Sequence, residues 1–253
     1  MKRIALLATI AFWSSLPLLG QTVDEIIAKS IEARGGIRKL KAVQSQRMSG
    51  HITIGETEGT LLIERKRPAK MREEITIDGK TIIRATDGKS GWAINPFSGS
   101  SDPVALSPDD LKLVAQQADL DRPLVDYRAK GNQVELVGRD KLDGKEVYKL
   151  KVTLKDGQIR YDYIGVASWL ELKWEGRVVR NGEDYQAESH FQDYRSVDGV
   201  LYPFVIESSS PGMAGVQKVV FDKIELNPPL DDARFEPPAP APAGSGSADS
   251  LTR

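Results

Sequence analysis

The sequence has no cysteine and only two histidines among its 253 residues. Disulfides, thiolate nucleophiles and cysteine-built zinc or iron–sulfur sites are excluded at once. His51 and His190 stand far apart, and no histidine or glutamate pair has the spacing of helical metal ligands. A dominant charge is missing too: 35 basic residues face 36 acidic ones, for a net of −1. That balance gives no electrostatic case for nucleic acid. No Gly-x-Ser-x-Gly elbow, P-loop or dinucleotide fingerprint occurs. The acidic pairs Glu73-Glu74, Asp109-Asp110 and Asp231-Asp232 give no sign of the converging carboxylates a glycosidase-type hydrolase needs. The basic clusters Arg65-Lys66-Arg67 and Arg34 to Lys41 are offset by acids elsewhere and read as solvated faces. No enzyme, cofactor or metal is expected.

Long apolar runs are also lacking, with one exception. Lys2 and Arg3 precede the run Ile4 to Trp13, and a small residue follows at Gly20. This is the pattern of a secretory signal, and the run falls short of the roughly 20 residues that span a bilayer. Residues 1–20 are expected to be removed, leaving Gln21 first. Removal takes away Lys2 and Arg3 and changes the net charge from −1 to −3. Leu18-Leu19-Gly20 resembles the approach to a lipidation site, but Gln21 stands where an acylated cysteine would be. The mature chain is therefore expected to be soluble, periplasmic and unanchored.

What the sequence does contain is alternation. Thr22 with Glu25 forms a capping box, and Val23, Ile26, Ile27 and Ile31 share a helical face that Gly35-Gly36 ends. A short second helical turn carries Ile37, Leu40 and Val43. From about residue 44 the apolar period becomes two, as in half-buried antiparallel strands. Met48, Gly50, Ile52 and Ile54 show it, as do Met71, Glu73, Ile75 and Ile77. So do Tyr148, Leu150, Val152 and Leu154, then Leu170, Leu172 and Trp174, then Val200, Tyr202, Phe204 and Ile206. Asp78-Gly79, Asp87-Gly88, Asp143-Gly144, Asp156-Gly157, Asn181-Gly182 and Asp198-Gly199 are hairpin dipeptides, tolerant of positive φ. Together these predict a meander of about eleven strands, curved or closed rather than flat.

One insertion interrupts the meander. Ser107-Pro108-Asp109-Asp110 starts a helix whose apolar stripe is Leu111, Val114, Ala115 and Ala118. Asp121-Arg122-Pro123 is expected to restart a shorter helix with Leu124, Val125 and Tyr127. The open face of the sheet is the surface available to this insertion. Residues 237–253, mostly Pro, Ala, Gly and Ser, read as a disordered tail.

Three stretches carry a family resemblance. They are Ile31-Glu32-Ala33-Arg34-Gly35-Gly36 through Met48-Ser49-Gly50, then Gly91-Trp92-Ala93-Ile94-Asn95-Pro96, then Asp193-Tyr194-Arg195-Ser196-Val197-Asp198-Gly199-Val200-Leu201-Tyr202-Pro203. In them, and in its order of elements over residues 22–236, the chain resembles the outer-membrane lipoprotein-sorting (LolA/LolB-like) superfamily of periplasmic carriers. The resemblance implies a mainly β fold with a few helices. A curved antiparallel sheet would form an incomplete, half-open barrel with a helical lid, built as one domain over 21–236. It also implies a cavity for lipoprotein acyl chains or another lipid, transfer partners at the inner and outer membranes, and a monomer. On alternation, the expected cavity wall is Met48, Ile52, Ile54, Ile75, Ile77, Trp92, Leu150, Val152, Leu170, Leu172 and Trp174. Leu111, Val114, Ala115 and Ala118 would lie on the lid. The alternative is a periplasmic sensor or protein-interaction module of the same fold, with a core filled by side chains.

Overall fold

The structure is a computed structural model. It describes residues 21–99, 101–180, 182–209 and 215–238. The expected signal segment, most of the expected tail and Asn181 lie outside the described residues.

Two helices lead in: α1 (Val23–Ala33) and α2 (Ile37–Ala42). The capping box forms, with Glu25 N–H donating to Thr22 Oγ1 at 3.3 Å and Thr22 N–H donating to Glu25 Oε2 at 3.0 Å. Helix α1 ends as its glycines require: Gly36 N–H donates to Ile31 O and Gly35 N–H to Glu32 O, both at 2.9 Å.

Among the described residues thirteen strands follow. The first six are β1 (Ser45–Ile54), β2 (Thr57–Lys66), β3 (Lys70–Ile77), β4 (Lys80–Thr86), β5 (Gly91–Ile94) and β6 (Val104–Ala105). Helix α3 (Pro108–Ala118) intervenes. Then come β7 (Gln133–Leu142), β8 (Lys145–Thr153), β9 (Ile159–Gly165), β10 (Glu171–Arg180), β11 (Glu183–Val197), β12 (Val200–Ser209) and β13 (Gln217–Leu226). The count exceeds the expected eleven because pieces such as β6, with 2 residues, are too short to show a period. All thirteen form one sheet in the order β6-β5-β4-β3-β2-β1-β13-β12-β11-β10-β9-β8-β7.

The pairing is antiparallel throughout, and the edges β6 and β7 do not meet. The sheet is curved but unclosed, and the chain crosses its opening once, through α3. Both central residues have positive φ at Asp78-Gly79, Asp143-Gly144 and Asp198-Gly199, as two-residue hairpins demand. Pro203 sits where the proline suggests: β13 pairs with β12 only from Val205 to Ser208.

One expected element is corrected. Residues 120–131 run through consecutive turns, not a second helix. Arg122 at φ 61° and Asp126 at φ 52° break the helical path, and their side chains bind elsewhere in the fold.

The inner face of the sheet packs α1 and α3; the outer face of β1–β5 is strapped by the C-terminal segment. Leu230 and Phe235 are buried there, and Phe235 O accepts the Trp92 indole N–H at 2.9 Å. Between β1 and β13 the register slips at Ser49/Gly50. A Cβ at Gly50 would lie 2.1 Å from Val220 O and 2.7 Å from Phe221 Cα. Gly50→Ala should therefore cost about 2 kcal/mol by forcing the backbones apart. Urea unfolding measures this, and a loss within about 0.5 kcal/mol would show that the bulge has slack.

Candidate functional site

Pairing arranges the inner face in cross-strand rows. Gly50, Leu61, Ile75 and Ile82 make one row; Met48, Ile63, Glu73 and Arg84 make the next; Gln46, Arg65, Met71 and Thr86 lie beyond. Helix α3 lies over these rows. Its Val114 and Ala118 are buried in one cluster with Met48, Ile52, Leu61, Ile63, Met71 and Phe204. Ile54 and Ile75 pack at the margin of that cluster, and Ile77 extends the same face beside Gly59. A second apolar patch lies under α1, where Leu150 joins Ile26, Ile27, Tyr148 and Ile164. Val152, on the same face of β8, is also fully buried.

Three expected positions, Trp92, Leu172 and Ala115, are corrected. Trp92 pairs with Ala85, out of phase with Arg84 and Thr86, so its indole lies on the outer face beneath the C-terminal strap. Arg72 stacks over that ring at 5.4 Å. Leu170 precedes β10, and the pairing then steps from Glu171↔Ile164 to Lys173↔Tyr163. This slip leaves Glu171 and Trp174 inward and turns Leu172 toward Gly165. On α3, Leu111 is half-buried beside Gly91, but Ala115 is exposed at the edge of the stripe.

Alternation did not announce the belt of charge between the two patches. Arg84 pairs with Glu73 at 2.6 Å, and Arg122 and Arg160 share Glu171 at 2.7 and 2.8 Å. Arg160 also holds Asp162 and lies 4.7 Å from the Trp174 ring centroid. Asp121, its side chain 5% exposed, takes Arg67 and Lys41, each at 2.6 Å. Tyr194 donates to Glu171 O at 2.6 Å. The expectation of solvated basic clusters is thus corrected as well. Arg65 shares the inward parity of Leu61 and Ile63, and Arg67 turns in to Asp121. The signal was available, since Arg65, Glu73 and Arg84 all fall on the apolar phase of their strands.

Enclosure moves the titrations. Burial pushes the Asp162 carboxyl up to about 6, against the pull of Arg160. Burial raises the Tyr194 and Tyr202 phenols and lowers the Arg65 guanidinium to about 10. Arg34 is lowered by burial and by the charge of Arg122.

A cleft of about 740 Å³ opens between α3 and the strands β9–β11. Leu113, Ile159, Tyr161 and Val179 line it together with Asp109, Lys112, Gln116, Glu175 and Arg177. None of the expected wall residues does.

No protein-family model and no curated protein matches the sequence. Solved structures do match the shape. A LolA superfamily protein from Nitrosomonas europaea superposes with a TM-score of 0.56 over 83% of this chain and 96% of its own, at 16% identity. The fold is LolA-like. A DUF1329 family protein from Desulfovibrio piger gives 0.57 over 85% of this chain and 97% of its own, at 13% identity. A protein described as an outer membrane lipoprotein-sorting domain, from Vibrio parahaemolyticus, gives 0.54 over 83% and 97%, at 11% identity. The LolA-like core is thus covered almost whole. Among the described residues no helix is long and apolar enough to cross a membrane.

Proposed function

We propose that this LolA-like protein is a soluble periplasmic carrier, exported by cleavage of residues 1–20. On this reading it binds the acyl chain of a lipoprotein or another lipid for transfer toward the outer membrane. It acts by binding, not by catalysis. The observation that supports this reading is the apolar inner face running past the cover of α3. Ile54, Ile75, Ile206 and Val219 are half-buried around the covered core of Met48, Ile52 and Leu61. Helix α3 buries only Val114 and Ala118 fully, and its polar ties to the sheet side include Gln116 to Gln158 and Asp109 to the Gly182 N–H. With two fully buried side chains and exposed polar ties, this helix is the element we assign as the lid.

Withdrawing a 16-carbon chain from water is worth up to about 12 kcal/mol at ~0.8 kcal/mol per CH₂. Cargo held that firmly needs a lid that moves and a receiving apolar site. Ile75→Asp should weaken binding of a fluorescent fatty acid at least tenfold while circular dichroism stays unchanged. Undiminished binding by the folded variant would overturn the reading.

The cleft beside α3 favours a second reading. Its mixture of charged, amide and apolar side chains suits a polypeptide better than an acyl chain. A protein-interaction module would bind a partner domain saturably and leave fatty-acid probes in solution.

A further inference from the structure

We infer that the cleft between α3 and β9–β11 receives an extended polypeptide segment of a partner, apolar at its centre and basic at both ends. This rests on the interaction reading above. The cleft lies on the outside of the fold. Tyr161 pairs with Glu175, Gln186 with Arg177 and Asp184 with Val179, all in the phase opposite to inward Trp174. On α3 the lining residues Asp109, Lys112, Leu113 and Gln116 share one face and turn away from buried Val114 and Ala118. A ligand here leaves the inner apolar face untouched.

The first observation is apolar surface in a concave place. Ile159 and Val179 are 42% and 40% exposed, and half-buried Leu113 and Tyr161 line the same cleft. Exposed aliphatic side chains gathered in one cleft mark a contact surface, whereas the same residues scattered singly would mean nothing. The second observation is that the seam is tied at both ends. At one end Gln116 Nε2 donates to Gln158 Oε1 at 2.6 Å, and Gln158 Nε2 donates to Arg177 O at 3.0 Å. At the other the Gly182 N–H donates to Asp109 Oδ2 at 3.3 Å. From Asp109 to Gln116 the helix rises about 10 Å at 1.5 Å per residue. A groove preformed over that length loses little freedom on binding.

Charge sets the polarity of the partner. Asp109 and Asp184 flank the Gly182 end of the groove, and Asp156 flanks the Gln158 end. These three carboxylates outnumber Lys112 and Arg177. Glu175 is already taken by Tyr163, Lys173 and Lys149, and Arg177 stands 3.9 Å from Asp184. The result is an apolar floor with an acid at either end. In an extended chain alternate side chains share a face, so cations four residues apart, about 13 Å at 3.3 Å per residue, reach both ends. The residue midway between them then faces Ile159 and Val179. An acyl chain offers nothing to the two acidic ends.

Heteronuclear NMR titration of the purified chain tests this with the nonapeptide Ser-Leu-Lys-Ser-Leu-Ser-Lys-Leu-Ser and a counterpart carrying Glu in place of both Lys. The basic peptide should bind roughly tenfold more tightly than the acidic one and shift amides of α3 and β9–β11. Asp184→Lys and Val179→Ser, both at exposed positions, should each weaken it about fivefold or more while the melting temperature stays at the parent value. Should one variant not fold, the other carries the comparison. Equal or tighter binding of the acidic peptide at the same amides would overturn the basic partner and leave the interaction reading standing. Binding of neither peptide, or binding that both substitutions leave unchanged, would overturn the segment and the interaction reading at this cleft together.

Discussion

Replacing Phe235 by alanine is expected to lower the unfolding free energy by about 4 kcal/mol. The ring is fully buried, at 0% exposure, although it belongs to a segment outside the sheet. It is pinned against the outer face of β3–β5, where its carbonyl takes the Trp92 indole N–H. The flanking groups reinforce it: Arg234 binds Glu64, whose side chain is 1% exposed, and Arg72 donates to Arg234 O at 3.1 Å. Lys66 and Lys70 both reach Asp232, at 2.8 and 2.9 Å. Removing the ring leaves a cavity that these polar ties hold open. In a domain of this size the melting temperature should fall by roughly 8–16 °C. The fluorescence of Trp92 should shift red as its site is wetted. A loss below about 1 kcal/mol would mean that the strap is not seated on the sheet in solution.

Asp121→Ala is expected to cost about 3 kcal/mol near neutral pH, since it takes from Arg67 its only carboxylate and leaves that guanidinium on the Val43 and Leu40 carbonyls, while Lys41 keeps Asp126. The pH dependence makes this distinctive. Burial alone would raise the Asp121 carboxyl, but hydrogen bonds and charge from Arg67 and Lys41 prevail and hold it at about 2. Its folded value is therefore depressed below the ordinary one near 4. The stability it contributes is present above about pH 4 and is lost as the pH falls through about 2. The difference between parent and variant should accordingly shrink by about 2 kcal/mol across that interval. A difference that stays constant from pH 6 to pH 2.5 would show that the ion pairs are not formed.

Caps and turns were legible because their causes are local. Thr22 with Glu25, Ser107 with Pro108, and the Asp-Gly hairpins each decide their geometry within four residues. Alternation likewise announced strands at Met48–Ile54 and Met71–Ile77, and their inward phase followed once α3 was placed. Alternation could not settle a phase fixed by a neighbouring strand. Four-residue β5 is too short to declare its own face, and pairing with β4 sends Trp92 outward. The slip between Glu171 and Lys173 reversed Leu172 for the same reason.

The charged belt was visible in the phase of Arg65, Glu73 and Arg84, yet its meaning was not. Glu73 and Arg84 partner each other across β3 and β4, whereas the carboxylates that take Arg122, Arg160 and Arg67, Glu171 and Asp121, come from distant segments. By itself, then, the sequence determined a secretory pattern, a capped lead-in helix, an antiparallel meander and a helical insertion. Each is written in neighbouring residues through backbone preference and hydrophobic period. The tertiary structure alone decided which faces turn inward and that the apolar wall is split by charge. Burial and pairing depend on chain segments that meet only after the sheet has curled.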